Sequence, residues 1–267
     1  MKRTACILLA SLILFLAGCA GTPPGGGVQP VQTGSPGGAA ASLILLGDTW
    51  SRDGIPLFRG SARRLYDREE EWSAALENAA SQAARYVGVT GLSRFYTERS
   101  SQGKGYLGDF QSDWNRSLEP GILEQLEEVQ RFQDEDGSYI LVRWPGGAKL
   151  SLSGSAPATR GRPSWVSQTP VLPGFRVSTG TVQRKRHPVD SMTAADDKAL
   201  EEMVKQIELE VTSQRNTIDL GRQGSGSVES ALEIAQAHVR GFYILARWHE
   251  PDGSIYYSLG ICPADIN

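Results

Sequence analysis

The chain has 267 residues, 40% of them hydrophobic and 21% charged, and a formal net charge of -3. This balance is ordinary for a globular chain and supplies enough apolar side chains for one large or two small cores. It carries no global basic field, so no nucleic-acid partner is expected.

The N-terminus sets a positive Lys2-Arg3 ahead of an apolar run at 7–16, which closes on Leu16-Ala17-Gly18-Cys19. That run is too short to span a bilayer comfortably, and small residues follow it, as in a cleaved export signal. The last four residues resemble the lipobox of bacterial lipoproteins, whose cysteine is acylated after the preceding chain is cut away. Residues 1–18 are therefore expected to be a lipoprotein signal peptide and Cys19 the lipidation site; an ordinary signal with an incidental cysteine is the alternative. The resemblance implies a diacylglyceryl cysteine, usually with a further N-acyl chain. Two or more chains anchor stably where one does so only marginally. Ala20 is not the aspartate that, by analogy, retains lipoproteins at the inner membrane. The expected location is thus the outer membrane, lipid-anchored and facing the periplasm, with membrane lipid as the first partner.

Of the three cysteines, Cys6 leaves with the signal and Cys19 is acylated. Cys262 then has no partner for an intramolecular disulfide, so the folded part must stand on its core. Cys262 reads as a small buried apolar residue rather than a reactive thiol. Residues 19–42 form a tether rich in Gly and Pro, with no charged residue until Asp48. Such a composition cannot offset its ordering entropy, and a flexible chain of this length spans roughly 25 Å. Leu43-Ile44-Leu45-Leu46 reads as a first short strand.

The rest reads as a duplication, with a first domain at 43–150, a linker at 151–162 and a second domain at 163–267. Trp50 followed by Pro56-Leu57-Phe58-Arg59-Gly60-Ser61 is echoed by Trp165 and Pro173-Gly174-Phe175-Arg176-Val177-Ser178. Ala75-Leu76-Glu77 is echoed by Ala199-Leu200-Glu201, and Asp136-Gly137-Ser138 by Asp252-Gly253-Ser254. Three blocks in the same order are hard to obtain without duplication.

In each half an amphipathic helix follows the first block. Trp72, Leu76, Ala79, Ala83, Tyr86 and Val87 share one face of the first helix, with Asp67 and Glu70 spaced as a capping box. Leu200, Met203, Val204, Ile207 and Val211 form the stripe of the second, expected over 193–211. Ser191 or Thr193 is a candidate cap, and Asp196 and Asp197 suit the positive end of its dipole. Tyr106, Phe110 and Trp114 at four-residue spacing suggest another helix ended by Pro120. Ser227 is a candidate start for a short helix through Ile234. Hairpins are expected from residues 129–132 with 139–144, and from 242–248 with 255–261.

Pro163-Ser164-Trp165-Val166, the Phe175 strand with Gly180, the helix at 193–211 and the final hairpin resemble the Lpp-twenty family of bacterial lipoproteins. The same order is similar to the N-terminal domain of flagellar assembly protein T. The first half fits more loosely: Asp48-Thr49 replaces proline before its tryptophan, and its helix is alanine-rich. The resemblance implies an α+β fold of two tandem small domains, each a long helix packed on a curved antiparallel sheet. It transfers no catalytic residues.

The residues themselves show no catalytic constellation. His187 lies in the basic loop Arg184-Lys185-Arg186-His187, a solvated surface or a contact for anionic lipid or polyanion. His238 and His249 have no partner nucleophile, and no two histidines stand at metal-ligand spacing, so neither metal nor cofactor is expected. Gly103-Lys104-Gly105 and Gly224-Ser225-Gly226 lack the rest of a phosphate-loop pattern. The expected function is a non-catalytic, periplasmic interaction or assembly module with an envelope or flagellar-type protein partner. A surface adhesin or antigen, or a cell-wall hydrolase, are the alternatives.

Overall fold

A computed structural model of the chain describes residues 54–100, 103–150, 161–219 and 232–264. Cys6, Cys19, the tether, the strand expected at 43–46, Trp50, most of the linker and Gly224-Ser225-Gly226 lie outside them. The first half runs β1 (Leu57–Arg63), α1 (Arg68–Val87), β2 (Val89–Ser100), β3 (Gly103–Trp114), α2 (Glu119–Leu123), β4 (Glu127–Gln133) and β5 (Gly137–Arg143). The second runs β6 (Phe175–Gln183), α3 (Pro188–Asp219), β7 (Leu232–Val239), β8 (Tyr243–His249) and β9 (Ile255–Pro263). These form three antiparallel three-stranded sheets, ordered β1-β5-β4, β3-β2-β7 and β6-β9-β8. The fold is α+β, with α1 packed on β1 and β5, and α3 on β6 and β9.

The first and third sheets match strand for strand. Each outer strand carries the same irregularity against the central one, between Glu128 and Gln130 in β4 and between Ile244 and Ala246 in β8. Each first strand brings a glycine under its helix. A Cβ on Gly60 would stand 1.7 Å from the Ala75 carbonyl oxygen, and one on Gly180 2.0 Å from that of Ala195. The turn into each helix is tied alike: Leu65 N donates to Glu71 Oε1 at 2.7 Å and Lys185 N to Ser191 Oγ at 2.8 Å. Each of these pairs is offset by the same 120 positions, 60 to 180, 75 to 195, 65 to 185 and 71 to 191. The echoes read from the sequence do not keep these registers. Ala75 corresponds to Ala195, one helical turn before Ala199, and Gly137 to Ile255 rather than Gly253.

No core boundary falls at the linker. β7 of the second half completes a sheet with β2 of the first, and α3 reaches over both. Val89 packs with Leu200, Met203 and Val204, and Phe132 and Tyr139 with Val189 and Met192. The largest cluster joins Phe58, the α1 alanines and Trp144 to Trp165, Leu245, Trp248 and Leu259.

Several expectations are corrected. Residues 103–114 are a strand: four-residue spacing puts side chains on one face of either element, and Gly103, Gly105 and Gly108 oppose a helix. The segment from Leu232 is likewise a strand, where buried Ala237 and Val239 alternate with exposed Gln236 and His238. α3 begins at Pro188, a residue that suits a first turn, and Ser191 ties the preceding loop instead of capping. At the start of α1, Asp67 accepts from Glu69 N, but Glu71, not Glu70, reaches back. The buried face of α1 is its alanines, because Gly60 brings the strand backbone so close; Trp72 and Leu76 are half-buried and Val87 is exposed. On α3 the expected Leu200, Met203, Val204 and Ile207 are buried; the side chain of Val211 lies outside those described.

Candidate functional site

Where β1 and α1 face α3 and β8, the two halves leave a narrow cleft. One lobe is tight, about 20 Å³ or room for about one water molecule, and is lined by Arg59, Ser61, Asn78, Thr193, Asp196 and Arg247 among others. A second lobe, also about 20 Å³, shares Arg59, Gln82 and Arg247 with it and continues along Phe242 and Ile244. Its chemistry begins with the strand pattern. Phe242 to Trp248 is apolar except at Arg247, so pairing β8 on β9 carries one guanidinium into the interior, where Arg247 is 6% exposed.

Asp196, on α3, answers that charge. Arg247 Nε donates to Asp196 Oδ1 at 2.9 Å and Nη2 to Oδ2 at 2.6 Å, a side-on bidentate pair. Ser258 Oγ on β9 donates to the same Oδ1 at 2.6 Å. Arg247 Nη1, the corner away from Asp196, is buried with no partner among the described residues. On the opposite wall Ser61 N donates to Asn78 Oδ1 at 3.1 Å, which leaves the Asn78 amide as a donor. Tyr139 also borders the cleft, and burial, reinforced by Asp134 and Asp136, pushes its phenol well above its ordinary value. It therefore stays protonated. The lining is thus rich in donors, with one carboxylate already saturated.

The other buried charges also hold the structure together. Glu71 accepts from Leu65 N, from Arg68 Nη1 at 2.8 Å and from Ser138 Oγ at 2.7 Å. Arg85 Nη2 donates to Asp197 at 2.7 Å across the two helices, and at the surface Arg63 Nε, at the end of β1, donates to Asp190 in the first turn of α3 at 2.6 Å. Asp196 and Asp197 therefore bind arginines and are not dipole charges at a helix start, since α3 begins eight residues before Asp196.

The sequence-derived candidates do not meet at the cleft. Cys19 lies outside the described residues. His187 precedes α3. His238 shares a 3.1 Å hydrogen bond with Thr90 Oγ1, and His249 Nδ1 sits 2.6 Å from the Glu250 carbonyl oxygen. Cys262 is buried in β9 with its Sγ 3.4 Å from Met203 Sδ, and burial pushes its thiol up to about 11. That suits a packed apolar residue and opposes a reactive thiol at neutral pH. Among the described residues no group of three or more His, Cys, Asp or Glu is placed to hold a metal ion. Among them, too, no helix is long and apolar enough to cross a membrane.

Arg247 and Asn78 were not singled out by sequence reasoning, and Arg59 only as part of an echo. The available signal was a single arginine inside an otherwise apolar strand. No family model, no curated protein and no solved structure matches the chain.

Proposed function

We propose that this protein is a non-catalytic, lipid-anchored interaction module of the bacterial envelope. Its folded part is two copies of one small unit, helix on antiparallel sheet, fused through a shared third sheet. The anchor is Cys19, in the outer membrane and facing the periplasm; the lipobox-like Leu16-Ala17-Gly18-Cys19 and the uncharged tether support that placement. The shared offset of 120 positions and the matched sheets support the duplication. Pairing of the buried carboxylates of Glu71 and Asp196 with arginine and serine favours a structural over a catalytic use of charge.

The observation that carries the interaction role is the outer edge of β3. It is twelve residues long and, among the described residues, hydrogen-bonded to β2 on one side only, and β7 covers β2 no further than Tyr96. Such an edge is a template for an added strand from a protein partner. Asp109, Gln111 and Asp113 are exposed along it. A photo-crosslinking residue at Gln111 or Asp113 should capture one envelope protein in intact cells. The same residue at Glu77, exposed on α1, should capture none. Equal capture from all three positions, or from none, would remove the edge as the partner's site.

A further inference from the structure

We infer that the end of the middle sheet is a binding site for a short zwitterionic peptide. There the close of α1, the turn after β3 and the close of β7 surround an open pocket of about 530 Å³, a volume that suits a small ligand. Thr90 pairs with Asp113 on one side and with His238 on the other. The three side chains therefore form a row across the sheet, on the face turned away from Val89, Val239 and α3. Arg240 adds a cation two residues beyond His238. Among the described residues neither Asp113 nor Arg240 makes an ion pair or a side-chain hydrogen bond. The pocket thus holds an anion and a cation that do not neutralise each other. β3 and β7 lie two strand spacings apart, about 10 Å. An extended peptide of two or three residues spans about 7–10 Å, so its ammonium meets Asp113 and its carboxylate Arg240. A free amino acid reaches both only by drawing the two side chains together.

The walls are already set for such a ligand. Thr90 Oγ1 holds His238 Nδ1 at 3.1 Å, and the ring lies so close over Gly88 that an added Cβ would stand 3.1 Å from Cε1. His238 Nε2 makes no hydrogen bond among the described residues and is a second group for the carboxylate. Asn115 Oδ1 accepts from Ser117 N at 3.1 Å and from Ser117 Oγ at 2.7 Å, which leaves its amide to donate to a peptide carbonyl. Trp114 is fixed by Glu119, 2.8 Å from its Nε1, and by Arg85 and Arg116 over its ring. Val87, 45% exposed, and Leu118 offer apolar surface to a ligand side chain. This site is independent of the anchor, and of the β3 edge it uses Asp113 alone.

The test uses the full chain in detergent micelles at constant ionic strength. It is titrated calorimetrically with the tripeptide Ala-Leu-Ala, its N-acetylated and C-amidated forms, and leucine. The free tripeptide should bind, and blocking either end or shortening to leucine should weaken binding about fivefold or more. Asp113→Asn should weaken the free tripeptide by a like factor and leave the N-acetylated form unchanged. Arg240→Gln should do the same with the C-amidated form. Neither side chain has a described partner to lose, so both variants should melt like the parent. No binding of the free tripeptide, equal binding of free and blocked forms, or leucine binding as tightly as the tripeptide would overturn the inference. So would either variant binding the free tripeptide like the parent.

Discussion

Gly60 and Gly180 hold the same place in two different sheets. Each pairs with the central strand of its sheet, Gly60 opposite Ile140 and Gly180 opposite Ser258, and each lies under the backbone of its own helix. A methyl group at either position would overlap a helix carbonyl, so the fold needs a bare backbone twice, in the same spot.

Alanine at Gly60 or at Gly180 should therefore cost at least about 2 kcal/mol, the range for overpacking a close interface. Gly121 in α2 has nothing within 4 Å of an added Cβ. Gly121→Ala should be neutral or stabilising by about 0.5 kcal/mol. Thermal melts of the three variants check the contrast, and an unequal response at Gly60 and Gly180 would count against their equivalence.

The pair Asp196–Arg247 carries the second prediction. Asp196→Ala strands a buried guanidinium and should destabilise by about 3–5 kcal/mol. The double variant Asp196→Leu with Arg247→Met removes both charges and should recover most of that loss. Denaturant titrations measure the cycle; a double variant as unstable as Asp196→Ala would show that the pair is not the source of the loss.

How much of this was legible in the sequence depended on periodicity and its ambiguities. The α3 stripe, Leu200 to Ile207, was readable because large apolar residues recur at helical spacing and no glycine interrupts them. The hairpin of β8 and β9 was readable from two apolar runs around Pro251-Asp252-Gly253. The face of α1 was only half legible, because the residues that touch the sheet are alanines, whose pattern is weak until Gly60 explains how close the strand comes. β3 was misread because Tyr106, Phe110 and Trp114 satisfy both periods, and β2 was missed. The cleft escaped because it is built by contact between halves: Asn78 and Gln82 lie one turn apart on α1 but Arg247 lies on β8, and no local spacing joins the two elements.

A third prediction concerns pH. Glu201 on α3 is buried, which pushes its carboxyl up, but Lys198 and Lys205 outweigh that and hold it below its ordinary value. A folded-state value below the unfolded one gives stability that is present above the unfolded carboxylate range, about 4.3, and lost as pH falls through the folded value. The parent should thus melt above Glu201→Gln at pH 7, with the gap closing as the solution is acidified below about pH 4. Melting curves across that range test the sign; a gap that widens in acid would contradict it.

The central claim is that a lipid on Cys19 holds this fused double unit at the membrane. Cells expressing the parent or Cys19→Ser, fed an azide-bearing palmitate analogue and then fractionated with detergent, test it most directly. The account predicts label on the parent and its recovery in the detergent phase. Cys19→Ser should take no label and be either unprocessed or released to the soluble periplasmic fraction. A Cys19→Ser protein that is still labelled, or a mature one held at the membrane as firmly as the parent, would contradict it.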